Sequence, residues 1–157
     1  MSNTTPRPYR NNVFTGILAG QLPASVVYDD ELVLAFMDIY PFTRGHTLVI
    51  PKQHKQRVLE LSDATRERLF HVGHKIAAAV RASPIPGDDV NFLINDGHIA
   101  NQTVPHVHLH IVPRTRGDGA GVIWRLATGF ANPVRKVNRA EFDADAALIK
   151  AALAAAY

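Results

Sequence analysis

The sequence contains no cysteine. That excludes disulfides, a thiolate nucleophile and every cysteine-held zinc or iron–sulfur centre. It also fits a reducing compartment, so a cytoplasmic protein is expected. No apolar run approaches the ~18 residues of a membrane span. Even the alanine-rich C-terminal stretch is broken by Lys150. The start, Met1 to Arg10, is polar and lacks the apolar stretch of a secretory leader. Blocks of basic residues are missing as well. The 17 Lys and Arg face 14 Asp and Glu, a net charge of +3. Residues 114–139 are locally basic, which reads as solvated surface. Neither nucleic acid nor membrane is an expected partner.

What remains is an ordinary globular balance, 46% hydrophobic and 20% charged over 157 residues, enough for one core. Residues 1–12 carry no periodicity and read as a flexible arm. Residues 13–157 read as a single domain that includes a C-terminal tail. Phe14, Ile17 and Leu18 have helical spacing, with Gly20 as a stop. Residues 26–28 and 32–37 form a hairpin around Asp29-Asp30-Glu31, whose acidic residues serve the turn. Thr47 to Ile50 is a short strand ended by Pro51. Ser62 caps a helix whose Leu69, Val72, Ile76 and Val80 form one apolar stripe, with His71 and His74 on its solvated side.

Residues 90–95 give another strand, and 96–105 a polar loop carrying His98. Residues 114–137 read as irregular, Gly117 to Gly121 as flexible loop, and Trp124 as packing. Asn138 and Glu141 suggest a capping box for a last helix bearing Phe142, Ala146, Ile149 and Leu153. Hairpins, then a helix, then more strands predict an α+β fold. Its antiparallel sheet has about five strands, with packed helices and a C-terminal helical extension.

Histidine is the residue in excess, eight in all. His106, His108 and His110 alternate with Val107, Leu109 and Ile111. This predicts a half-buried strand ended by Pro113, with the three imidazoles on one face about 7 Å apart. The bland reading is a surface strand that happens to carry histidines. A second reading is a metal centre completed by His46 or Asp38, since imidazoles are common ligands. A third is attack on phosphorus. Neutral imidazole has a free lone pair at pH 7 and needs no separate base, and a flanking protonated ring can hold phosphate oxygens or a leaving group.

His106-Val-His-Leu-His110-Ile-Val112 resembles the signature of the histidine triad family. The likeness spans residues 13–114. It includes Phe14 to Pro23, Val27-Tyr-Asp-Asp30, Ala35-Phe-Met-Asp-Ile39, Gly45 to Lys52, Asn95-Asp-Gly97, Ala100-Asn-Gln102 and Pro113-Arg114. The resemblance implies a homodimer and nucleotidyl transfer through a covalent histidine intermediate, with a purine nucleotide as substrate and no cofactor. By resemblance His108 is the nucleophile, His106 orients it, His110 serves phosphate and leaving group, and His46 is a fourth histidine nearby. Asp38 and Ile39 match the ribose site. Asn95, Asn101, Gln102 and Thr103 match a phosphate loop. Phe14, Ile17, Phe36 and Leu48 match the base pocket, although periodicity alone reads them as core.

Two departures are visible. The family often has glycine where this chain has Asn101. Many bacterial relatives hold a structural zinc partly through N-terminal cysteines, but here residues 12–15 read Asn-Val-Phe-Thr, so no metal is expected. The favoured substrate is a purine nucleoside phosphoramidate, as in the phosphoramidase branch. The alternatives are a dinucleoside polyphosphate and a regulatory nucleotide-binding role with little turnover.

Overall fold

The computed structural model describes residues 12–127 and 138–156. Most of the expected arm lies outside the described residues, but Asn12 is part of the fold. Its side chain accepts hydrogen bonds from the Phe14 and Thr15 N–H groups, and its own N–H donates to the Thr15 hydroxyl. This reciprocal cap starts α1 (Val13–Leu18). Gly20, at φ +69°, turns the chain out of it.

Five strands follow: β1 (Val26–Asp29), β2 (Val33–Met37), β3 (Thr47–Pro51), β4 (Asp89–Ile94) and β5 (Leu109–Arg114). They form one sheet in the order β1-β2-β3-β5-β4, antiparallel throughout. The α+β class and strand number agree with expectation. Asp30 serves the first hairpin turn, its carboxylate accepting from the Leu32 and Val33 N–H groups at 2.8 and 2.9 Å. Pro51 is the last residue of β3, as expected, whereas Pro113 lies inside β5, one residue before its end. The β3–β5 ladder covers only Thr47–Val49 and Leu109–Ile111. At each proline the strand therefore has a neighbour on one side only, where a missing N–H is tolerated.

α2 (Asp63–Ala82) starts at Ser62, whose hydroxyl accepts from Thr65 N–H. Its stripe of Leu69, Val72, Ile76 and Val80 is fully buried, and His71 and His74 are exposed. Gly73 lets the helix touch the sheet, because a Cβ there would stand 2.7 Å from Leu109 Cδ2.

The segment expected to be irregular contains α3 (Gly119–Ala127), so Gly119 and Gly121 lie in the first turn of a helix that follows β5, and only Gly117 stays in the loop. The signal was hidden because glycine is a poor helix former. Trp124 is 54% exposed on α3. The remainder of that segment, 128–137, lies outside the described residues. α4 (Arg139–Ala156) buries Phe142, Ala146 and Ile149. α2 and α4 cover one face of the sheet, over Val33, Ala35, Val49, Leu109 and Ile111. Leu34, Phe36, Leu48 and Ile50 form a second cluster with Phe14 of α1 on the opposite face.

Candidate active site

A row of paired residues crosses that second face. His110 pairs with Leu48, Leu48 with Phe36, and Phe36 with Val26. The register thus carries a line from β5 to β1, with a histidine at one end. The alternation read in 106–112 holds for the two faces, with Val107, Leu109 and Ile111 in the helix-side core and the histidines opposite. The ladder itself begins only at Leu109, so His106 and His108 precede the strand. The face is also fully covered rather than half-buried: His106, His108 and His110 are 0%, 4% and 2% exposed. Phe14 of α1 lies edge-on to both His106 and His108, and Phe42 stacks on His46. The rings of His108 and His110 have centroids 4.8 Å apart, closer than the spacing of a flat strand.

Hydrogen-bond partners fix where the imidazole protons sit. A carbonyl only accepts, so His108 donates Nδ1–H to the His106 carbonyl at 2.7 Å, leaving a lone pair on Nε2. By the same logic His106 donates Nε2–H to the Pro51 carbonyl at 2.8 Å. Phe42 N–H donates to His46 Nδ1 at 3.1 Å, so His46 carries its proton on Nε2. That proton is given to His110 Nδ1 at 3.0 Å, which places the His110 proton on Nε2. One backbone N–H therefore sets the tautomers of two rings in series. Asp38 Oδ2 lies 3.5 Å from His46 Nδ1. That nitrogen is already an acceptor for Phe42, so the contact is not an ion pair.

Burial favours neutral groups here. It lowers His46 to about 3, His106 to about 4, and His108 and His110 below the usual imidazole value. It raises the Asp38 carboxyl to about 6, against the pull of the Tyr40 N–H and His108. The histidines consequently stabilise the fold above pH 6.5. That contribution is lost as pH falls toward their folded values, because the unfolded chain takes up protons first. Asp38 acts in the opposite sense, its contribution being present at low pH and lost as pH rises through about 6. His46 and His106 each account for roughly 1–2 kcal/mol between pH 6.5 and 5, Asp38 returns roughly 1, and His108 and His110 act in the same sense as the other histidines. Urea melts should therefore show stability falling by roughly 2 kcal/mol or more over this range. A flat profile would contradict the neutral, buried assignment.

A cavity of about 650 Å³ opens over this face, a volume typical of small-molecule sites. Phe14, Ile17, Phe36 and Leu48 line it, with Asp38 and Ile39 from the end of β2. Thr103, His108 and His110 complete the set of expected residues that reach it. His46 and His106 stand behind, bonded to His110 and to the backbone.

The loop residues divide differently. Gln102 is turned inward, its amide accepting from Gly97 N–H and donating to the Gln56 carbonyl, both at 2.9 Å. Asn95 donates to the Asn101 carbonyl at 3.3 Å. Asn101 is left-handed, at φ +62°, the only non-glycine residue with positive φ among those described. That explains the glycine often found there, and asparagine is among the residues that tolerate it. Asn101→Val should cost about 1–2 kcal/mol in thermal unfolding while Asn101→Gly stays within about 1 kcal/mol of wild type. Equal stability of the two variants would contradict the strained conformation.

Sequence reasoning missed two residues. His54 accepts from the Asn12 amide at 3.0 Å and packs against His106, with ring centroids 4.9 Å apart. Its place after Pro51 was the available signal. Arg139 lines the cavity from the start of α4, whereas its basic stretch, 114–139, reads from sequence as solvated surface.

Asp38, His46 and His110 bring possible ligand atoms within 4.8 Å of one another, the set considered for a metal. The lone pairs of His46 Nδ1 and His110 Nδ1 are engaged by Phe42 N–H and His46 Nε2–H. A metal there would have to break the tautomer chain. Near the N-terminus Asn12 and Thr15 are spent on the helix cap and on His54. Without thiolates they do not fit a cysteine-held zinc.

Comparison with known proteins agrees with this geometry. The HIT domain family model matches residues 19–117. The Protein hit of Bacillus subtilis is 47% identical over 116 residues, 73% of this chain and 79% of that protein. The adenosine 5'-monophosphoramidase hnt1 of Schizosaccharomyces pombe is 38% identical over 113 residues, 71% of this chain and 81% of that protein. A zinc-bound histidine triad family protein from Mycobacterium smegmatis superposes with a TM-score of 0.75 at 41% identity, covering 92% of this chain and 94% of that one. With the alternating histidines, the five-stranded sheet and the matched segment in agreement, the chain belongs to the histidine triad family.

Proposed function

We propose that this protein hydrolyses a purine nucleoside phosphoramidate at the α-phosphorus through a nucleotidyl-His108 intermediate. The observation that carries this reading is the fixed tautomer of His108. Donation of Nδ1–H to the His106 carbonyl leaves the Nε2 lone pair on a ring that lines the cavity. Burial keeps that ring neutral, hence nucleophilic, at pH 7.

In the first step Nε2 bonds to phosphorus and the P–N bond breaks, the amine taking up a proton from water as it leaves. Neutral His110 presents Nε2–H as a hydrogen bond to the phosphoryl oxygens and the departing nitrogen. In the second step water attacks phosphorus and gives up a proton to solvent, the P–Nε2 bond breaks, and His108 recovers its lone pair. The His106 carbonyl accepts from Nδ1–H throughout and favours the cationic imidazole formed between the steps. The carboxylate of Asp38 is the acceptor for ribose hydroxyls, and Phe14, Ile17, Phe36 and Leu48 offer flat apolar walls to the base. The fission yeast relative named as an adenosine 5'-monophosphoramidase supports the phosphoramidate over other leaving groups.

Adenosine 5′-phosphoramidate supplied with a chelator tests the reading. Release of AMP is expected. Cleavage of diadenosine polyphosphates alone would replace the substrate class. Nucleotide binding without product would leave a binding protein. Activity abolished by chelator and restored by zinc would overturn the histidine mechanism.

A further inference from the structure

We propose that Arg139 reads the base and gives the site a preference for guanine over adenine nucleotides. This rests on the nucleotide reading above. Arg139 opens α4 and lines the same cavity as His108 and His110. Its guanidinium donates to Ser25 Oγ at 3.3 Å and to the Pro23 carbonyl at 3.4 Å. Both bonds are long, and the group forms no ion pair among the described residues. Asp143, one helical turn on, accepts instead from the Ser25 hydroxyl at 2.6 Å.

The sheet register places Arg139 relative to the chemistry. Ser25 precedes Val26, the last member of the row His110, Leu48, Phe36, Val26. Three strand spacings separate the ends of that row, roughly 14 Å. The reacting phosphorus belongs at the histidine end and the ribose beside it at Asp38, just past the end of β2. The base then extends toward β1, where Arg139 is held. A guanidinium has donors only and presents them as a planar fork. Guanine offers O6 and N7 as neighbouring acceptors on one edge, which suits that fork. Adenine puts an amino donor where O6 would be, so one arm of the fork meets a donor.

The competing role is a tie between the start of α4 and segment 23–25, which would support the fold without reading the base. The test is the ratio of kcat/KM for guanosine and adenosine 5′-phosphoramidates, measured on the same samples of wild type, Arg139→Met and Arg139→Lys. The ratio is independent of how much protein is folded. Wild type should favour guanosine by about tenfold. Arg139→Met should bring the ratio close to one, chiefly through a higher KM for guanosine, and Arg139→Lys should restore part of it. An unchanged ratio in Arg139→Met, or a wild type that favours adenosine, overturns the proposal while leaving the phosphoramidase reading intact. If wild type cleaves neither compound, the phosphoramidase reading fails and this proposal fails with it.

Discussion

His108→Asn should lose turnover by about 10⁴-fold or more, because the atom that bonds to phosphorus is gone. Asparagine keeps polarity and rough size, so the cavity walls and the neighbouring Phe14 contact need little adjustment. Nucleotide binding should stay within several-fold of wild type, and thermal stability should change little. The informative pattern is lost kcat with retained binding. His106→Asn would be less clean, since that ring is fully buried against Pro51, Phe14 and His54 and its loss would disturb the fold. Equal activity of wild type and His108→Asn would remove His108 as the nucleophile.

His110→Asn should lower kcat by about 10²–10³-fold for the phosphoramidate. The loss should shrink for a substrate whose leaving group departs without a proton, such as a nitrophenyl nucleotide ester. This separation follows from the tautomer chain. Phe42 N–H fixes His46, His46 fixes His110, and His110 Nε2–H is the proton presented to the departing atom. If His110 served only to position phosphate, both substrates would suffer equally. A comparison of the two losses by steady-state kinetics distinguishes these cases.

The sequence exposed these parts unevenly. The helix stripe at Leu69, Val72, Ile76 and Val80 and the alternation around His108 were legible because burial imposes a period on them. The side of the sheet that bears the histidines was legible for the same reason. The depth of their burial was not, because α1 and segment 38–46 cover them from outside the motif. Gln102 carried a family likeness but is spent on Gly97 and Gln56, a use that only the folded loop defines. α3 was missed because its glycines mask a helix, and Arg139 because a basic residue at a helix start has no periodicity to announce it. The tautomer chain could not be read either, since it depends on which carbonyl or N–H each ring meets after folding.

Stereochemistry tests the two-step displacement at phosphorus most directly. A nucleoside phosphoramidate made chiral at phosphorus with sulfur is hydrolysed in ¹⁸O-labelled water with chelator present, and the configuration of the nucleoside phosphorothioate is determined. Attack by His108 followed by attack of water inverts phosphorus twice, so net retention is predicted. Net inversion would mean that water displaces the leaving group directly, and it would contradict the covalent role assigned to His108.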